Sequence, residues 1–239
     1  MKKVLRLSNL LPLYLCTVLI LIIIAHGASR AVTTVSETAP IQSRNCVIID
    51  AGHGGVDTGA TSYTGRYESH INLEIALRLE KLMHLLGYKT KMIRDEDISI
   101  HTQGTTIAQK KVSDLKKRVD LVNSETNSIL ISIHQNHFSD SRYYGPQVFY
   151  PNNNESAVLA KKMQTSLVSS LCPTSNRKAK QAKGVYLMEK IQSTGILIEC
   201  GFLSNPEEES KLTDASYQKK LCSVIASTYS SFINENRIA

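Results

Sequence analysis

In Cys46-Val47-Ile48-Ile49-Asp50-Ala51-Gly52-His53-Gly54-Gly55 an apolar run breaks at an aspartate and enters a glycine turn that carries one histidine. Cys46 to Asp50 reads as a buried strand, being short, rich in β-branched residues and closed by glycines. The glycines let the backbone approach a ligand and project His53. Taken alone, Gly52 to Gly55 also resembles a phosphate cradle, but the GxGxxG and Walker spacings are absent.

Beyond this stretch, short apolar runs alternate with helical patterns, which predicts an α/β domain: a single sheet flanked by helices. Helices are expected over Ser69 to Leu86, where Ile71, Ile75, Leu79, Leu82 and Leu86 fall near one face, and over Asp114 to Ser124, Glu155 to Leu171 and Ser216 to Asn236. Further strands are expected at Tyr88 to Ile93, Ile129 to His134, Gln147 to Tyr150, near Gly184 to Met188 and at Gly195 to Glu199, with a loop from Arg94 to Lys111. The segment Cys172 to Lys183, with Arg177, Lys178, Lys180 and Lys183, reads as a basic loop on a solvated surface.

Four segments place metal-competent side chains at element ends, where an α/β sheet collects its ligand groups. His53 follows the first strand, and Glu68 opens an amphipathic helix, where simple capping would also explain a carboxylate. His134 ends the apolar strand Ser132-Ile133-His134 and has an ordinary alternative as a satisfied core histidine. Glu199 ends Ile196-Leu197-Ile198-Glu199, where burial of a charge costs several kcal/mol unless a cation or hydrogen bonds compensate. Two histidines with one carboxylate form a recurrent set for catalytic zinc, and a second carboxylate then serves as base.

Together, Val47 to Gly55, Glu68 with Asn72-Leu73, Ser132-Ile133-His134-Gln135-Asn136 and Ile198-Glu199-Cys200-Gly201-Phe202-Leu203-Ser204-Asn205 resemble the zinc-dependent N-acetylmuramoyl-L-alanine amidases of type 3. The likeness runs in order from Cys46 to Ile233 and takes in Arg94 and the helix bearing Leu115, Arg118, Val119 and Asn123. It implies that His53, Glu68 and His134 bind Zn2+ at the ends of the strands and that Glu199 is the catalytic carboxylate, with a fourth-ligand or supporting role for Glu199 as the alternative. The sequence departs from the family at Gln135, often a small residue, and at Cys200, often aliphatic; both bear on substrate fit. The short stretch from His137 to Gly145 leaves no room for the inhibitory helical insertion of some relatives.

The resemblance implies hydrolysis of the amide between N-acetylmuramic acid and L-alanine in peptidoglycan. The short architecture is similar to that of the germination-specific amidases, which implies stem-peptide removal during formation of muramic-δ-lactam in the spore cortex. The alternatives are an inactive wall-binding or scaffolding protein and a zinc peptidase acting on the stem peptide. Need for a regulatory protein partner is left open.

Upstream, Lys2, Lys3 and Arg6 precede an apolar run from Leu10 to Ala25, which reads as a leader. Its Leu/Ile-rich end favours a signal anchor over a signal peptide cleaved near Ala25-His26-Gly27, and puts the rest outside the cytoplasmic membrane. The expected division is 1–27 leader, 28–44 linker and 45–239 a single catalytic domain. Three of the +7 net charges lie in the leader, so the exported part is mildly basic. Such a surface suits a polyanionic cell wall, and export makes nucleic acid an unsuitable partner. Cys46, Cys172, Cys200 and Cys222 have no CxxC spacing that would mark a metal site; they could pair outside the cell, with buried free thiols as the favoured reading.

Overall fold

The computed structural model describes residues 46–238, with side chains as far as Glu235, so the expected leader and linker lie outside the described residues. The centre of the fold is a parallel trio, β1 (Cys46–Ala51), β3 (Ser128–Asn136) and β6 (Thr194–Phe202). With β2 (Thr90–Met92), β4 (Gln147–Tyr150) and β5 (Lys180–Gln181) they make a six-stranded sheet ordered β2-β1-β3-β6-β4-β5. The sheet is mixed, because β4 runs antiparallel to β6 and carries β5 parallel to itself.

Continuous Val, Ile and Leu runs suit strands covered on both faces. Six helices do the covering among the described residues: α1 (Glu68–Leu85), α2 (Ile107–Asn123), α3 (Asn154–Leu171), α4 (Tyr186–Lys190), α5 (Pro206–Leu212) and α6 (Ala215–Ile238). Ile48, Leu130 and Leu197 join Val119 and Val122 of α2 and Leu187 and Met188 of α4 in one cluster. Strand alternation turns Ile49, Ile131 and Ile198 to the opposite face, where α1 and α3 pack. All four cysteines among the described residues are free thiols; Cys46, Cys200 and Cys222 are buried, whereas Cys172 is half-buried.

The expected single sheet with flanking helices is present, with local corrections. Gly184 to Met188 is not a strand: Tyr186–Lys190 is a helical turn, because Leu187, Met188 and Ile191 then share one face against α2. The basic loop contains the short strand β5. Helix α2 begins seven residues before the expected Asp114, at Ile107, where Thr106 and Gln109 form a reciprocal capping box. Helix α5 was not expected, although Asn205 caps it and Pro206 occupies its first turn. Between β3 and β4 the chain carries no helix.

Candidate active site

The carboxyl ends of β1, β3 and β6 lie side by side, and each delivers one polar group. At the end of β1, Gly52 is required by contact: a Cβ there would sit 2.2 Å from His134 Nε2 and Cε1. His53 follows with φ of 61°, a left-handed conformation that a non-glycine residue adopts only when its surroundings hold it. Two buried arginines do so. Arg94 donates from Nε to the Ala51 carbonyl at 2.8 Å and from Nη2 to the Gly52 carbonyl at 3.0 Å. Arg118 donates to the Ala51 carbonyl at 2.9 Å and to the His53 carbonyl at 2.6 Å.

Arg118 is itself neutralised by Asp50, which it touches directly, and by Asp114 at 2.6 Å. Burial works against the Asp50 charge, yet Arg118, His134 and a 2.6 Å hydrogen bond from Ser132 outweigh it and hold the carboxyl below its usual range. The loop bearing His53 is thus held by a buried polar network running from β1 through α2 and β3.

His53 Nε2 lies 3.3 Å from Glu68 Oε2, and His134 Nδ1 lies 3.1 Å from Glu68 Oε1. One donor atom from each of the three lies within 4.8 Å of the others. The carboxylate is aimed by the Ala60 amide on Oε2 at 2.9 Å, and by the Gln135 amide at 3.1 Å and Asn72 Nδ2 at 3.2 Å on Oε1. Gly59 is needed here as well, since its φ is 68° and a Cβ would come 2.6 Å from Glu68 Oε2. On the far side of His53, Nδ1 bonds Asp57 Oδ2 at 2.9 Å, which fixes the ring so that Nε2 faces the cluster.

Burial opposes charge on His53, but Asp57 and Glu68 overcome it and raise the imidazole to about 9. Glu68 is held well below its usual value, burial again being outweighed by the two histidines. The cluster is therefore electrostatically built for positive charge. Two imidazole nitrogens and one carboxylate, with a second carboxylate behind one imidazole, fit a zinc ion in donor chemistry and in orientation.

Glu199 is the register partner of His134 across β3 and β6, so both side chains leave the same face of the sheet. Its Oε2 is buried without a hydrogen-bond partner. Burial pushes the carboxyl up to about 7, Glu68 adding to this while His134 and His53 pull the other way. A carboxyl poised near neutrality can both take and return a proton.

The structure thus brings together all four residues singled out in the sequence, His53, Glu68, His134 and Glu199. Sequence reasoning missed Asp57, whose partnership with His53 depends on the shape of the glycine turn. It also missed α5, which ties down two loops beside the site. Glu209 accepts from Ser62 at 2.8 Å and from Thr64, while Glu208 Oε2 accepts from the Gly145 amide at 2.8 Å and the Phe202 amide at 3.1 Å. The Asn205-Pro206 pair was the available signal for that helix.

Convergent cation donors beside a carboxyl with a buried, unpartnered oxygen equip a hydrolase. Residues 47–229 match the family described as N-acetylmuramoyl-L-alanine amidase, and the chain belongs to that family. It is 37% identical over 186 residues to the germination-specific N-acetylmuramoyl-L-alanine amidase of Bacillus subtilis, covering 77% of each chain. Among solved structures it resembles the CwlD amidase of Clostridioides difficile in complex with the GerS lipoprotein, at 36% identity and a TM-score of 0.76, over 80% of this chain and 98% of that one. An N-acetylmuramoyl-L-alanine amidase from Clostridium difficile 630 follows at 30% identity and a TM-score of 0.67, over 80% and 97%. The family is one of enzymes of peptidoglycan hydrolysis, which favours the amidase over the inactive scaffold.

Proposed function

We propose that this amidase is zinc-dependent, with His53, Glu68 and His134 as ligands and Glu199 as the proton carrier. The observation that carries this reading is the convergence of the three donors beside a buried, unpartnered carboxyl oxygen. Zinc held there would act as a Lewis acid on the scissile carbonyl and make water a better nucleophile near neutral pH. Glu199 accepts a proton from the attacking water and returns it to the departing L-alanine nitrogen, so the amine leaves neutral. The Arg94 and Arg118 bonds hold His53 in its left-handed conformation, and Glu68 stays fixed by its amide donors. The test is metal content with product analysis: His53→Ala, Glu68→Ala and His134→Ala should each lower zinc occupancy, and the zinc-loaded protein should release intact stem peptides beginning at L-alanine. Unchanged zinc in all three variants overturns the ligand set; fragments cut within the peptide point to the peptidase.

Asp57 supports the metal without touching it. Asp57→Asn should weaken zinc affinity by about 10- to 100-fold, read by competition with a chromophoric chelator, with little change in the melting temperature of the metal-free protein.

The proposed setting is the spore cortex, where removal of stem peptides precedes muramic-δ-lactam formation. The likeness to a germination-specific amidase supports it. The related amidase seen with a lipoprotein supports a protein partner for this chain too. We place the enzyme at the outer face of the cytoplasmic membrane, held by the segment 1–27, on the strength of its basic start and apolar run. No helix among the described residues is long and apolar enough to cross a membrane.

A further inference from the structure

The basic segment expected as solvated surface is exposed at Lys178 and Lys180 and adds β5 to the sheet, two strands from β6 and Glu199. Gln147 of β4 is the cross-strand partner of Glu199, and Phe149, two residues on, partners Lys180 of β5. Paired residues share a face, so His134, Glu199 and Gln147 form a row, and Lys180 emerges on the same side. There a cavity of about 510 Å³ opens, lined by Arg142, Tyr143, Gln147, Arg177, Lys178 and Lys180 among others.

Its charges are available. Among the described residues, no carboxylate lies within ion-pair distance of Arg177, Lys178 or Lys180; Arg142 alone is paired, with Asp140 at 2.7 Å. Arg177 is positioned rather than free to swing. Its guanidinium carbon lies 4.7 Å from the centre of the Phe202 ring and 5.9 Å from that of Tyr143, and Nε donates to the Tyr144 carbonyl at 2.9 Å. At the floor, Gln147 is 1% exposed and its Oε1 is buried without a partner. On the other flank of the centre the charges are mutually paired: Asp57 meets His53 at 2.9 Å and Lys111 at 3.2 Å, and Asp97 meets His70 at 2.9 Å.

We propose that this cavity is the subsite for the acidic part of the stem peptide. The inference rests on the amidase reading, which places the scissile amide at Glu199. From there β4 is one strand away and β5 two, roughly 5 and 10 Å at the usual strand spacing. An extended peptide advances about 3.3 Å per residue, so the second and third residues after the cut bond reach the cations. Carboxylates at those positions are drawn toward the cations around β5, which have no carboxylate partner among the described residues, whereas the charges of the opposite flank are already paired. Arg177, held over the Phe202 ring, presents its terminal nitrogens to a carboxylate, while Lys178 and Lys180 act as point charges.

Binding of a fluorescein-labelled stem peptide, L-Ala-γ-D-Glu-meso-diaminopimelyl-D-Ala-D-Ala, which carries a free carboxylate on its second and third residues, and of its counterpart with every carboxylate converted to carboxamide, is measured by anisotropy on the full chain. The wild type should bind the acidic peptide about tenfold tighter at low salt, and raised ionic strength should erase the preference. Lys178→Glu/Lys180→Glu, at exposed positions, should abolish or invert it, and Arg177→Gln should reduce it. In parallel, the double variant should raise KM for the acidic muramoyl peptide about tenfold with kcat nearly unchanged, leaving the carboxamide substrate unaffected. Equal binding of the two peptides by the wild type, or an equal loss on both in the variant, overturns the subsite. Discrimination in binding by a wild type that hydrolyses neither muramoyl peptide would overturn the amidase placement of the bond and leave the acidic subsite standing.

Discussion

Glu199→Gln should retain zinc and lose hydrolysis by about 10²-fold or more, measured as stem-peptide release from purified peptidoglycan. Glutamine keeps the shape of the side chain at the end of β6 but cannot accept a proton from water. The carboxyl is suited to the task because it is buried beside two histidines with an oxygen that no protein group claims, and because burial lifts it to about 7. A structural carboxylate in such a place would be paired, as Asp50 is with Arg118 and Ser132. The outcomes separate the roles. Loss of zinc in the variant would move Glu199 into the coordination sphere, and near-normal turnover of zinc-replete protein would send the proton elsewhere. A thermal melt completes the measurement, since the new amide is as buried as the oxygen it replaces and an unmet donor costs about 1–3 kcal/mol.

Arg118→Met should destabilise the domain by about 3–5 kcal/mol at neutral pH, measured by denaturant unfolding of the metal-free protein. The side chain is 2% exposed, and its removal leaves Asp50 buried without its cation while freeing the His53 carbonyl from its 2.6 Å bond. The pH dependence has a definite sign. Asp50 is held below its usual range in the folded protein, so its contribution is present above the unfolded value of about 3.9 and disappears as pH falls through the folded value. Without Arg118, burial dominates and raises Asp50, so the folded state binds the proton more readily than the unfolded chain does. The gap between wild type and variant should therefore be widest near neutrality and narrow as the pH falls toward about 4. A gap independent of pH would assign the loss to packing of the arginine stem alone. Because the same side chain holds His53 in its left-handed conformation, the variant should also bind zinc more weakly at temperatures where it remains folded.

Local patterns made much of this legible. The run Cys46 to Asp50 closed by glycines, the apolar strands ending at His134 and Glu199, and the long amphipathic helix opened by Glu68 needed only residue order and burial preference to be read. Short-range packing misled at Gly184 to Met188, where alternating apolar residues serve a helical turn on α2, because a five-residue run satisfies either period. The start of α2 was misplaced for a similar reason: Ile107 and Val112 are exposed, so the helix begins at a capping box rather than at an apolar stripe.

Sequence by itself determined the α/β class, the alternation of elements and the position of the four candidate residues at their ends, since each depends on neighbours within a few positions. Tertiary structure alone decided what those residues meet. The pairing of His134 with Glu199 is a matter of β3–β6 register, and that of Arg118 with the His53 carbonyl spans 65 positions of the chain. The basic segment illustrates the difference most sharply. Along the chain Arg177, Lys178 and Lys180 are a polar run with no period, and only the placement of β5 beyond β4 gathers them around one cavity with Gln147, the cross-strand partner of Glu199. Periodicity records how a segment sits on its nearest layer, whereas a site depends on which strands become neighbours, and that is settled by packing of the whole sheet.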